Sequence, residues 1–119
     1  MTTARINAFE RILTTIVKRI TDKFPKDRDV FNAATQIDLS LSLSKRKTIA
    51  TLVESFRPFK TELLNRDVKF FLDLGTSGEG LASLDLGHRW SQFTKEEQDQ
   101  LFTDAITLYN LSERLMNEL

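Results

Sequence analysis

The chain has 119 residues, no cysteine, nine phenylalanines against one tyrosine and one tryptophan, and a formal charge of zero. That length suits one core and is too short for two ordinary domains, so a single domain over residues 1–119 is expected. Without cysteine there is no disulfide, thiolate-held zinc, iron–sulfur cluster or thiol nucleophile.

In chain order, Ile6, Phe9, Leu13, Ile16, Val17, Ile20 and Phe24 recur at steps of three and four, which predicts a long amphipathic helix. It stops at Phe24-Pro25, because the residue before a proline is pushed out of the α region. In the polar turn that follows, Asp27 or Asp29 can cap a second helix carrying Val30, Phe31, Ala34, Ile37 and Leu41. From Ile37 to Ser44 apolar and polar residues also alternate strictly, as in a half-buried strand. Helix to about Leu41 is the reading taken, since a lone strand has no partner to satisfy its backbone groups.

Ser44 or a neighbour caps a third helix through Ile49, Leu52, Val53 and Phe56, and Pro58 then ends or kinks it and opens a continuation through Phe59, Leu63 and Leu64. Asn65-Arg66-Asp67 is a second break, with Asp67 capping a short helix through Val68, Phe71 and Leu72. Gly75–Gly80 reads as a connector. Leu81, Leu84, Trp90 and Phe93 predict a shorter helical segment interrupted by Gly87, with Trp90 the largest single contributor of buried area, about 150–250 Å² for a large aromatic. Thr94 and Glu97 form a capping box. Leu101, Phe102, Ala105, Ile106, Tyr109, Ser112, Leu115, Met116 and Leu119 then share one face of a last helix starting near Lys95. Together these elements predict an all-α fold, one compact bundle of five or six helices.

No apolar run approaches the roughly 20 residues of a membrane span, and no signal-peptide core is present, so a soluble intracellular protein without membrane contact is expected. The basic, amphipathic start of the chain has some character of a transit peptide. Glu10, Asp22 and the regular apolar stripe favour a folded helix instead. Charge is uneven: residues 1–72 hold 14 Lys/Arg against 8 Asp/Glu, a net of +6, and residues 73–119 hold 3 against 9, a net of −6. The two halves can attract within one molecule or between neighbours.

No stretch composes a catalytic, metal or cofactor site. Gly75–Gly80 lacks the Gly-Lys-Ser/Thr ending of a phosphate-binding loop. His88, the only histidine, has Asp85 alone as a carboxylate close in sequence, and neither the spacing of a metal site nor a nucleophile accompanies it. Asp38 and Asp85 lie among apolar residues without a partner acid at helical spacing, and are read as solvent-facing or capping groups. Lys45-Arg46-Lys47 places three cations at a helix start, where the dipole disfavours them and where an acidic partner or phosphate would relieve them.

Several blocks carry a family likeness: Phe24-Pro25-Lys26-Asp27-Arg28-Asp29, Ile37-Asp38-Leu39, Arg66-Asp67-Val68-Lys69-Phe70-Phe71-Leu72, Leu84-Asp85-Leu86 with Trp90, and Leu108-Tyr109-Asn110-Leu111-Ser112. In this order the chain resembles a group of small helical proteins of nucleocytoplasmic large DNA viruses, of the algal-virus and giant-virus kind. The resemblance implies a viral protein of the infected cell or virion and transfers no functional residues.

The leading expectation is therefore a non-enzymatic structural or protein-interaction role, with no cofactor, through helix-face contacts with itself or other proteins. The residues expected to carry it are exposed members of the last helix and its approach, His88, Arg89, Trp90, Tyr109 and Met116, because aromatic residues and arginine dominate interface hot spots. The alternative is a nucleic-acid-associated accessory protein using Arg28, Lys45, Arg46, Lys47 and Lys60. An enzyme comes third and would need an unusual carboxylate-only or backbone-based site.

Overall fold

Most of the helix boundaries fall on the residue chemistry that marks them. The computed structural model describes residues 2–74 and 84–118. α1 (Thr2–Lys23) runs until Pro25 ends it. Asp27 then caps α2 (Arg28–Leu43), its carboxylate accepting from the backbone N–H of Asp29 and Val30. Ser44 alone separates α2 from α3 (Lys45–Phe56): it closes the first and caps the second by accepting from the Lys47 N–H at 3.1 Å. Residues 37–44 are thus helical up to the cap, and the alternating period is not a strand.

Pro58 sits in a single 3₁₀ turn, Arg57–Phe59, that leads into α4 (Lys60–Leu64). The next turn closes with the Arg66 N–H on the Leu63 carbonyl and the Asp67 N–H on the Glu62 carbonyl, a helix end that normally uses glycine in a left-handed conformation. Here the residue is Arg66, with φ 55°, at a cost of about 1–2 kcal/mol. Its side chain accounts for the choice, since the guanidinium donates to the Asp99 carbonyl and the Thr103 hydroxyl and ties this turn to the last helix.

Asp67 accepts from the Lys69 N–H at the start of α5 (Lys69–Leu74). The Gly75–Gly80 loop and Leu81 lie outside the described residues. Among the described residues the expected helix around Trp90 forms no α-helix, and Trp90–Gln92 is a 3₁₀ turn. Two local features break a longer one: Asp85 has φ 53°, and Gly87 lies against the Leu72 backbone. The capping box is present in both directions, Thr94 N–H to Glu97 and Glu97 N–H to Thr94, and starts α6 (Lys95–Glu118).

Six α-helices and no strand are found among the described residues, so the protein is all-α. Buried side chains from all six join one cluster. α1 and α6 pack antiparallel, as Arg5 pairs with Glu118 at one end and Lys23 with Glu97 at the other. α3 covers the next side of α6, and α2 bridges α1 and α3. The charge asymmetry is satisfied along these seams: Arg5, Arg19 and Lys23 of α1 face Glu118, Asp104 and Glu97, and Arg57 and Lys60 flank Glu113.

Several side chains differ in burial from the sequence reading. Trp90 is only half-buried, and the largest fully buried side chains are Tyr109, Phe9, Phe56 and Phe70. On α6, Leu108 is fully buried although the predicted stripe omits it, while Met116 lies at the rim, 37 % exposed. On α2, Phe31 is not part of the inward stripe but 66 % exposed.

Candidate interaction surface

The residues first expected to form an interface separate into three environments. Tyr109 is fully buried, stacked on Phe56 with centroids 6.2 Å apart, and its hydroxyl donates to Glu113. It joins α3 to α6 and cannot meet a partner. Arg89 is also mostly inside, its side chain 14 % exposed: it donates to Asp27 at 2.7 Å and lies over the Phe24 ring. Trp90 belongs to an aromatic group with Phe71 at 5.0 Å, Phe102 at 5.3 Å and Phe93 at 6.3 Å, and the Gln98 side chain pins its carbonyl to α6. Only His88 and Met116 of the set are exposed, and nothing places them together.

His88 Nδ1 lies 2.6 Å from Asp85 on the outside of the 84–89 turn. With the imidazole side chain 75 % exposed there is no desolvated pocket in which a nucleophile or metal could be held. No cluster of three metal-ligating side chains occurs among the described residues. Asp38 is exposed, in keeping with its reading as a solvent-facing group.

The five cations of the nucleic-acid reading do not converge. Arg28 begins α2 and Lys45–Lys47 follow its end, so a 16-residue helix separates them, about 24 Å of rise. Lys45 is paired with Glu10, and Lys60 lies beside Glu113 and over the Tyr109 ring. Arg28, Arg46 and Lys47 are exposed and form no ion pair among the described residues.

A groove of ≈ 630 Å³ between α1 and the start of α6 has walls of mixed sign in which Lys23 is already held by Glu97 and Arg19 by Asp104. Its cations are occupied from within.

What stands out is on α2. Val30, Ala33, Ala34, Ile37 and Leu41 bury its inner face, yet Phe31, Leu39 and Leu43 are 66 %, 49 % and 77 % exposed on the outside. A signal for them existed in the sequence. Once 30, 33, 34, 37 and 41 fill one face at roughly 100° per residue, 31, 39 and 43 fall off it.

Comparison of the chain with protein-family models, curated proteins and solved structures finds no match. No helix among the described residues is long and apolar enough to cross a membrane.

The ion pairs that hold the helices together also set a pH dependence. Asp27 is held below the ordinary 3.8 by its bond from Arg89 and then by the Val30 N–H; Glu97 is held below 4.5 by Lys23 and then by the Thr94 N–H; Glu113 is held below 4.5 by the Tyr109 hydroxyl, with Lys60 and Arg57 adding to it. Burial, then Glu113, pushes the Tyr109 hydroxyl above 10.0. Depressed carboxyls stabilise the fold fully above their ordinary values, and that contribution is lost as pH falls through the lower folded-state values. Tyr109 behaves oppositely: its contribution is complete below 10.0 and is lost as pH rises through its raised value. Urea midpoints measured against pH should therefore form a plateau with an acid and an alkaline limb. Tyr109→Phe should shrink the alkaline limb and, through Glu113, soften the acid one. An unchanged alkaline limb in that variant would show that Tyr109 does not contribute to it.

Proposed function

We propose that this chain is a non-enzymatic interaction protein acting by helix-face contacts, with the outer face of α2 as the contact surface. The supporting observation is that Phe31, Leu39 and Leu43 stay uncovered although the inner face of the same helix is fully packed. Covering one large apolar side chain completely is worth about 1.5–3 kcal/mol, so three along one helix supply an anchor of the kind a partner uses. His88 and Met116 become peripheral to this reading, and Arg89, Trp90 and Tyr109 become supports of the fold. A viral protein of the infected cell or virion is the setting implied by the sequence blocks given above, and it rests on those blocks alone.

The test is site-specific photo-crosslinking in the cell that makes the protein. A photoreactive residue at position 39 should give a protein adduct, with a second copy or with another chain, whereas one at the exposed Asn110 on α6 should not. No protein adduct from position 39 would refute the reading.

A further inference from the structure

Phe31, Thr35, Leu39 and Leu43 follow one another at every fourth position of α2. Such an i±4 row forms a ridge along a helix, the feature that interlocks with a second helix. At its C-terminal end the ridge borders a groove of ≈ 250 Å³ between α2 and α3, walled by Leu39, Leu43, Lys47 and Thr51.

The charges around the ridge favour one kind of occupant. Arg28 stands at its start, and Arg46 and Lys47 lie just past Leu43 without an internal ion pair among the described residues. The last two sit in the first turn of α3, which contains no acidic residue, so the positive end of the helix dipole adds to their field. Asp38 borders the ridge, and Asp29 lines a recess with Asp85 and Arg89 that shares Asn32 and Gln36 with the ridge border. The surface is thus apolar along its middle and positive at its α3 end, with Arg28 beside Asp29 at its start. From this we infer that the α2 ridge and the start of α3 dock an acidic amphipathic helix of another protein, its apolar face on Phe31, Leu39 and Leu43 and its carboxylates at Arg28, Arg46 and Lys47. The inference rests on the interaction reading above and adds the chemistry of the partner.

The two other occupants fit less well. A second copy offers the same cations: antiparallel α2 helices would set Arg28 against Arg46 and Lys47, and parallel ones would set Arg28 against Arg28. An anionic bilayer would suit the cations, but interfacial helices bury a broad apolar face, whereas this ridge is one side chain wide and bordered by exposed Asn32, Gln36, Asp38 and Ser42.

The experiment is a fluorescence-anisotropy titration of the full chain against a labelled amphipathic helical peptide with leucine on one face and glutamate on the other, alongside a twin with lysine for glutamate. The glutamate peptide should bind, and Leu39→Glu and Lys47→Glu, both at exposed positions, should each weaken it by about tenfold or more. The lysine twin should not bind. The inference is overturned if the glutamate peptide fails to bind, if neither substitution weakens it, or if the twin binds equally. Capture by phosphatidylserine vesicles in place of the peptide would assign the ridge to a membrane, and a doubled molar mass abolished by Leu39→Glu would assign it to a second copy; either overturns it. A failed peptide with a persisting adduct from position 39 would refute the partner chemistry alone, and loss of both would refute the interaction reading too.

Discussion

Replacing Phe71 by alanine should lower the unfolding free energy by about 3–5 kcal/mol, the usual cost of emptying a large aromatic site in a packed core. Phe71 is 4 % exposed, and its ring centroid lies 5.0 Å from Trp90, 5.0 Å from Phe102 and 5.1 Å from Phe70. Those neighbours come from the 3₁₀ turn, from α6 and from α5 itself, so one side chain joins three segments that share little backbone contact. Aromatic pairs of this kind add about 0.5–1.5 kcal/mol each beyond the area they bury. For a domain whose whole stability is of the order of 5–15 kcal/mol, the loss is large. Urea unfolding followed by helical circular dichroism measures it, and Trp90, the sole tryptophan, should report a wetter environment before unfolding begins. Phe71→Leu, which keeps more of the volume, should cost less. A loss under about 1 kcal/mol for the alanine variant would place the ring outside the core that matters.

The second large effect should come from adding one carbon. A Cβ built on Gly87 would lie 2.7 Å from Leu72 Cδ2 and 2.9 Å from both the Leu72 Cα and its backbone nitrogen. The first of those contacts is with the end of a flexible side chain, which can rotate away. The other two are with the α5 backbone, which cannot move without pulling Phe71 and Phe70 along. Gly87→Ala should therefore destabilise by about 1–3 kcal/mol, the range for overpacking. Leu72→Ala removes only the movable contact, so the double variant should recover little of the loss. Full recovery in the double variant, measured by the same unfolding curves, would show that the backbone approach is not the constraint.

Where the sequence was legible, local chemistry decided the outcome. Pro25 by its ring, and Asp27, Ser44, Asp67 and the Thr94–Glu97 box by their side-chain bonds, each determine a helix boundary; the sequence located these boundaries while leaving Asp27 or Asp29, and Ser44 or a neighbour, open as the cap. The leucine–serine alternation misled only in appearance: Leu41 is buried while Leu39 and Leu43 are exposed, so the leucines do not share a face. Phe31 differs from its expected inward place because Val30, Ala33, Ala34, Ile37 and Leu41 already fill one face at about 100° per residue, and Phe31 falls off it. The interruption at Gly87 was legible from the glycine itself, whereas its close approach to Leu72 is a contact between segments that no local pattern encodes. The expected exposure of Tyr109 and Arg89 differs for a related reason. Tyrosine, tryptophan and arginine suit interfaces and cores alike, and here the buried Tyr109 and Arg89 use their polar ends on Glu113 and Asp27.

The antiparallel seam between α1 and α6 joins two helices that are synthesised far apart in time. At roughly 5–20 residues per second, the stretch from Lys23 to Lys95 takes on the order of several seconds to translate. During that time Phe9, Leu13, Ile16, Val17 and Ile20 are finished but lack the helix that covers them, and α2 shields them only in part. A nascent chain halted before Leu101 would therefore present this apolar stripe without its α6 cover.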